Sequence, residues 1–168
     1  MYNYLIYFLA FSFLGWCAEV VFYIIKEHRF VNRGLAKGPI CPIYGVGISL
    51  SYLLLGGVES LPLLVLLCAA LTSAVELAVG LLTDKVMGVR LWDYRREKGN
   101  ICGYVCPRFS VLWGVISAFT VKLIPRFDGF LEVFSEPRIA FIVFSLLILS
   151  LVDAEREMIK IIKGTKKA

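Results

Sequence analysis

The sequence predicts an all-α fold, a polytopic membrane bundle of about five transmembrane helices. Three observations carry this. The 168-residue chain is 59% hydrophobic with a mean hydropathy of +0.78, against about 45–50% apolar residues in a soluble domain. The apolar residues are gathered into blocks on the scale of the roughly 20 residues that cross a bilayer. The basic residues are crowded into alternate connections: of 18 Lys and Arg, fifteen lie in 26–37, 85–108 and the tail from 156, and three in 122–138. Positive charge concentrates on the cytoplasmic side, which orients five spans with the N-terminus outside and the C-terminus inside.

The first span runs from Tyr4 to Ile25. It lacks a basic leader and contains Glu19, so it reads as a mature span rather than a secretory signal. Tyr2, Tyr4, Tyr7 and Phe8 suit the outer headgroup level. Gly15, Cys17 and Ala18 thin the helix around Glu19 and mark a face for protein contact. After the basic stretch 26–37, Pro39 and Pro42 forbid a regular helix across Gly38–Pro42, since each lacks an N–H and restricts its predecessor. The second span, about Ile43 to Gly57, is short, so some of that irregular backbone must dip toward the membrane. Such backbone is tolerated at depth only inside protein or along a wet cavity.

The third span, Leu61 to Leu82, sets Thr72, Ser73 and Glu76 among Ala69, Ala70 and Ala74. The longest loop, Asp84 to Arg108, carries Trp92-Asp93-Tyr94, Gly99-Asn100, Gly103 and Pro107. A fourth span covers about Phe109 to Ile124; Pro125 is expected to end it, with Phe127–Phe134 lying at the outer interface. The fifth span covers Ile139 to Val152, and the tail around 155–163 reads as its interfacial extension. No polar segment is long enough for a soluble domain, so residues 1–168 form one membrane domain. The net charge of +5 is accounted for by orientation and by attraction to anionic headgroups and calls for no nucleic-acid partner.

One pattern recurs. Gly38-Pro39-Ile40-Cys41-Pro42-Ile43-Tyr44 and Gly103-Tyr104-Val105-Cys106-Pro107-Arg108-Phe109 both read Gly-x-x-Cys-Pro-x-aromatic. Each follows a span holding one acid, Glu19 or Glu76, six residues before the end of its apolar block. At 1.5 Å per residue both acids lie about 9 Å inside the cytoplasmic boundary. The spacing from acid to cysteine is 22 residues in the first copy and 30 in the second, an insertion of eight. The expected unit is span, basic loop, motif, span, present as 1–57 and 61–124. Both copies start outside, a parallel repeat about the membrane normal, and 138–168 is left unpaired.

A charged side chain in a spanning helix costs at least about 2.5–3.5 kcal/mol, so Glu19 and Glu76 need a reason to be there. One reading is a site for a proton, a coupling ion or a solute, in a polar pocket framed by the two acids. The other is a structural bond that locks the bundle, with Arg33 or Arg108 as the partner. Asn32 and Arg33 in the first loop, and Trp92, Asp93 and Asn100 in the second, are candidate binding residues at the cytoplasmic mouth; a solvated, topology-setting loop is the alternative.

Gly38, Pro39, Cys41, Pro42 and Tyr44, with Gly103, Cys106 and Pro107, read as structural turns. Cys41, Cys102 and Cys106 with the single His28 lack the usual Cys-x2-Cys ligand spacing. The isolated histidine also leaves no nucleophile–base pair. No metal, cofactor or enzymatic activity is therefore expected. A P-loop sequence is absent as well.

Asn32-Arg33-Gly34, Gly38 through Gly47, Leu91-Trp92-Asp93-Tyr94, Asn100-Ile101-Cys102-Gly103 and Trp113-Gly114 together resemble the bacterial membrane family named "putative ABC-transporter type IV" (CmpB-like proteins). The resemblance covers about residues 5–125. It implies a small polytopic protein of the bacterial cytoplasmic membrane that serves as a transporter or transporter component. Without a P-loop, any ATPase would be a separate cytoplasmic subunit. The second motif departs from the family pattern at Cys106-Pro107-Arg108. The expected partners are the lipid bilayer, an unidentified small solute or ion, an ATPase or regulatory subunit, and a second copy of the chain. The alternative function is a non-transporting regulatory or scaffold subunit that docks a cytoplasmic partner through its basic face.

Overall fold

A computed structural model of the chain describes residues 2–30 and 39–131, with isolated positions beyond. The described residues form four helices: α1, Tyr2–Glu27; α2, Pro42–Leu55; α3, Leu61–Met87; and α4, Pro107–Leu131. Stretches of α1, α3 and α4 (Tyr4–Glu27, Leu61–Val86 and Pro107–Phe127) are long and apolar enough to cross a membrane, whereas α2 is a shorter apolar helix. The fold is thus a helical membrane bundle. The fifth span and the basic tail lie almost wholly outside the described residues, as do Asn32, Arg33 and Gly38.

The apolar blocks locate the helices, and local chemistry sets their ends. α2 starts at Pro42, whose missing N–H costs nothing in a first turn. Ser60 precedes α3, with Pro62 in its first turn. α3 outruns its apolar block by five residues and stops at Gly88, which takes the left-handed conformation (φ 65°). The Gly88 and Val89 N–H groups then bond back to the carbonyls of Asp84 and Thr83, a glycine-terminated cap.

α4 corrects an expectation. It does not end at Pro125 but continues through it to Leu131, so Phe127 to Leu131 extend a helix instead of forming a separate segment. A helix-interior proline removes one backbone bond and crowds the preceding turn, and spanning helices tolerate this.

The chain divides into two compact units. One comprises residues 1–46 and 127–168, and the other residues 47–126. In the first, the α1 face around Ser12 and Gly15 meets the start of α2. In the second, Leu64 and Cys68 of α3 and Ala118 and Val121 of α4 form a buried cluster, with Tyr52 and Leu55 of α2 packed against it. Lys122 donates to the Val58 carbonyl at 2.7 Å and so ties α4 to the turn between α2 and α3.

Candidate functional site

In the first unit the motif meets α1 through its backbone. The Cys41 N–H donates to the Ser12 carbonyl at 2.8 Å, and the Cys41 carbonyl accepts from the Tyr44 N–H at 3.1 Å. Ser12 is fully buried and its hydroxyl donates to the Phe8 carbonyl. Ser12 lies fifteen residues before the end of α1 at Glu27, so irregular backbone meets the helix well inside the span. Pro39 and Pro42 flank this contact, and the Cys41 thiol is only half-buried. The motif is a structural break here, and the cysteine's backbone makes the contact.

Gly15 is buried and leaves a shelf on which the Tyr44 side chain lies; a Cβ there would overlap its Cβ and the near edge of its ring. From that shelf the Tyr44 hydroxyl donates to Glu19 Oε1 at 2.5 Å. Gly45, the next residue, packs so closely on α1 that a Cβ would overlap the Phe8 carbonyl and the Ser12 hydroxyl.

The second unit holds a more enclosed acid through contacts of the same kinds. Glu76 is 7% exposed. Its Oε1 accepts from Trp113 Nε1–H at 3.1 Å and, more loosely, from the Tyr94 hydroxyl at 3.4 Å. Ser73, one turn before, shares a 2.7 Å hydrogen bond with Ser110 of α4. Gly114 follows Trp113, and a Cβ on it would sit 2.6 Å from Ala69 Cβ and 2.8 Å from the Val65 carbonyl.

The correspondence is positional. Phe8 and Ser12 lie eleven and seven residues before Glu19; Val65 and Ala69 lie eleven and seven before Glu76. In each unit an aromatic–glycine pair, Tyr44-Gly45 or Trp113-Gly114, donates to the acid and closes on these same places. The structure therefore matches Tyr44 with Trp113, whereas the sequence motif matches Tyr44 with Phe109, four residues and about one helical turn away. Phe109 has no polar group to offer Glu76. It stacks instead on the Tyr94 ring at a centroid distance of 4.8 Å.

Arg108 is not the partner of Glu76. It is exposed and faces Glu97 at 3.7 Å. Among the described residues no ion pair involves Glu19 or Glu76; Arg33 lies outside them.

The other candidate residues of the second loop bond within the loop itself. Trp92 Nε1–H donates to the Tyr104 carbonyl at 2.8 Å. Asn100 accepts from the Gly103 N–H and donates to the carbonyls of Glu97 and Arg95. Asp93 accepts from the Arg95 backbone N–H and guanidinium. Gly103 adopts φ 76°, and a Cβ there would meet Arg95, Arg90 and Asp93. Cys106 is fully buried and Pro107 begins α4.

Arg90 links the loop to α3. It pairs with Asp84 at 2.7 Å, donates to the Cys102 carbonyl at 3.2 Å and to the Tyr104 hydroxyl at 3.1 Å, and stacks on the Tyr104 ring. Tyr104 donates to Asp84 at 2.6 Å, and its ring rests where Gly80 has no side chain. The bond to Asp84, aided by burial, makes the Tyr104 phenol harder to ionise than a free one. Sequence reasoning missed Arg90, Asp84 and Tyr104. It also grouped Tyr94 with Trp92 and Asp93 without a reason to single it out.

The Arg95 side chain and backbone N–H hold the Asp93 carboxyl below the ordinary aspartate range. A carboxyl depressed on folding supports the fold above its unfolded value, near 3.9, and loses that support as pH falls through the folded value. The protection of amides in residues 93–103, their exchange referred to the intrinsic rate at each pH, is therefore expected to be level at neutral pH and to fall only in acid below about pH 4. Asp93→Asn should exchange faster at neutral pH and lose the acid-dependent step.

A family model described as "Putative ABC-transporter type IV" matches residues 6–156. No curated protein and no solved structure matches the chain.

Proposed function

The chain belongs to the "putative ABC-transporter type IV" family, and on that premise we propose that it is a membrane-embedded transporter component whose working groups are Glu19 and Glu76. The observation that carries this is how the acids are held. Each accepts from aromatic donors on the second helix of its pair, Tyr44 or Trp113, and neither makes an ion pair among the described residues. An ionised acid kept only to lock the bundle would need a hydrogen-bonded cation to offset its desolvation. A carboxylate held by neutral donors keeps its charge available to a proton, an ion or a cationic solute, and intramembrane acids ordinarily mark such pathways.

The matched packing of Gly45 and Gly114 supports an origin by internal duplication. Coupling to a separate ATPase subunit and pairing with a second copy belong to the same proposal.

The test is flux in reconstituted vesicles loaded with a metabolite mixture and read by mass spectrometry. Glu19→Gln and Glu76→Gln should each lower exchange at least about tenfold, roughly 1.4 kcal/mol of lost barrier lowering, while remaining monodisperse in detergent. Wild-type flux in both variants would refute the reading.

The basic side is proposed to face the cytoplasm of a bacterial cell. Cys102 is exposed on the loop and Cys106 is buried, so Cys102 is the reporter. An impermeant maleimide should label it in inside-out vesicles and leave it unlabelled in intact cells, with Cys102→Ser as the control.

A scaffold role is the second reading, favoured by the exposed Arg96 and Lys98 on a loop already folded by its own bonds. Charge reversal of that pair would then abolish capture of a cytoplasmic partner and leave flux untouched.

A further inference from the structure

Glu76 Oε1 has two donors, but Oε2 is buried and has no hydrogen-bond partner among the described residues. An ionised carboxylate so placed needs a cation or a full set of donors to offset its desolvation. Among the described residues, the packed elements supply neither. On α3, Asp84 is bound to Arg90 and Tyr104, and Lys85 is exposed. In the loop, Arg95 is paired with Asp93, and Arg96 and Lys98 are exposed. On α4, Arg108 faces Glu97 and Lys122 bonds Val58, with no charged residue between them. The α2 segment from Gly47 carries no charge.

We infer that the ligand of Glu76 is a proton, bound at Oε2, and that the loop carrying Tyr94 senses it. Enclosure of Oε2 excludes anything larger than a proton unless the site opens. Protonation leaves Oε1 as the carbonyl acceptor for Trp113 and Tyr94 and removes the uncompensated charge. Tyr94 is anchored in the loop by its N–H to the Gly103 carbonyl at 2.8 Å. Its hydroxyl meets a neutral acceptor when Glu76 is protonated and an anionic one when it is not, and the charge-assisted bond is about twice as strong. Loss of the proton therefore tightens the loop against α3, and uptake loosens it. Tyr94 is a positioning residue that couples the two. This deepens the reading of Glu76 as a working acid and rests on it for the proton's purpose, yet it is measured by protonation and not by flux, so either can fail alone.

Infrared difference spectra of the full chain in neutral-lipid vesicles, taken across pH with and without sodium, test it. The expected result is a protonated-carboxyl band at neutral pH that Glu19→Gln retains, Glu76→Gln loses and sodium leaves unchanged. Trp113→Phe and Tyr94→Phe keep the acid and remove one donor each, so they should shift the band's frequency; they carry the assignment if Glu76→Gln does not fold. Tryptic cleavage at Arg95, Arg96 and Lys98 should follow the same pH midpoint in the wild type and lose that dependence in Tyr94→Phe. Superimposable wild-type and Glu76→Gln spectra, a band that sodium removes at constant pH, or cleavage indifferent to the midpoint would overturn the proposal.

Discussion

Gly45→Val and Gly114→Val are each expected to destabilise the protein by about 3 kcal/mol, the upper part of the usual range for overpacking. In both cases part of the obstacle is backbone. A Cβ at Gly45 overlaps the Phe8 carbonyl, and one at Gly114 comes within 2.8 Å of the Val65 carbonyl. A main-chain oxygen within a spanning helix cannot swing aside, so the helices must separate. Lipid gives helices no hydrophobic reason to associate, and close packing of small residues supplies much of the attraction. Separation also draws Tyr44 away from Glu19, or Trp113 from Glu76, because the donor precedes the glycine in each pair. The measurement is the melting temperature and monodispersity of the purified variants in detergent. Gly57→Ala, where nothing lies within 4 Å of the added carbon, should behave as wild type. If the valine variants melt with the wild type, the close crossings are not what holds each pair together.

Arg90→Gln is expected to release the loop from α3 without unfolding the helices. The guanidinium is three-quarters buried and serves Asp84, Tyr104, Cys102 and the Tyr104 ring together. Hydrogen bonds to charged partners contribute about 1.5–3 kcal/mol each, and removing one member leaves the others unsatisfied. A loss near 2 kcal/mol in local closing raises the open population about 30-fold. Trypsin should then cut at Arg95, Arg96 and Lys98 that much faster when the loop opens and closes quickly relative to cleavage. Arg95→Ala is the contrast: its pair with Asp93 is solvent-exposed, and such pairs contribute under about 1 kcal/mol. Equal cleavage rates for Arg90→Gln and the wild type would remove Arg90 from this role.

The helices were legible because hydropathy is a property of consecutive residues. α1 and α3 appear in the sequence as uninterrupted blocks, each with its acid in place. The end of α4 was not legible, since Pro125 is a stop signal whose force depends on whether neighbours can satisfy the freed carbonyl. The glutamates were legible as anomalies of burial, but their partners were not. Trp113 lies 37 residues from Glu76, and nothing local distinguishes an indole that donates to an acid from one that packs in lipid. The repeated motif located two helix starts, Pro42 and Pro107, but not both donors: Tyr44 lies within the first copy, whereas Trp113 lies four residues beyond the end of the second. Trp92, Asp93 and Asn100 stood out as polar residues in a basic loop. Only three-dimensional pairing shows that they bond to the loop itself.

The late start of α2 bears on how the chain is made. Its 14 residues span about 21 Å at 1.5 Å per residue, short of a hydrocarbon core near 30 Å. A segment of that length is a poor substrate for an insertion machinery that admits helices one at a time. Its start is supported in lipid by α1, whose Ser12 carbonyl takes up the Cys41 N–H at the break. During synthesis the two are therefore expected to partition as a hairpin, and chains interrupted before Tyr44 would present the translocon with a single helix and an unaccompanied acid.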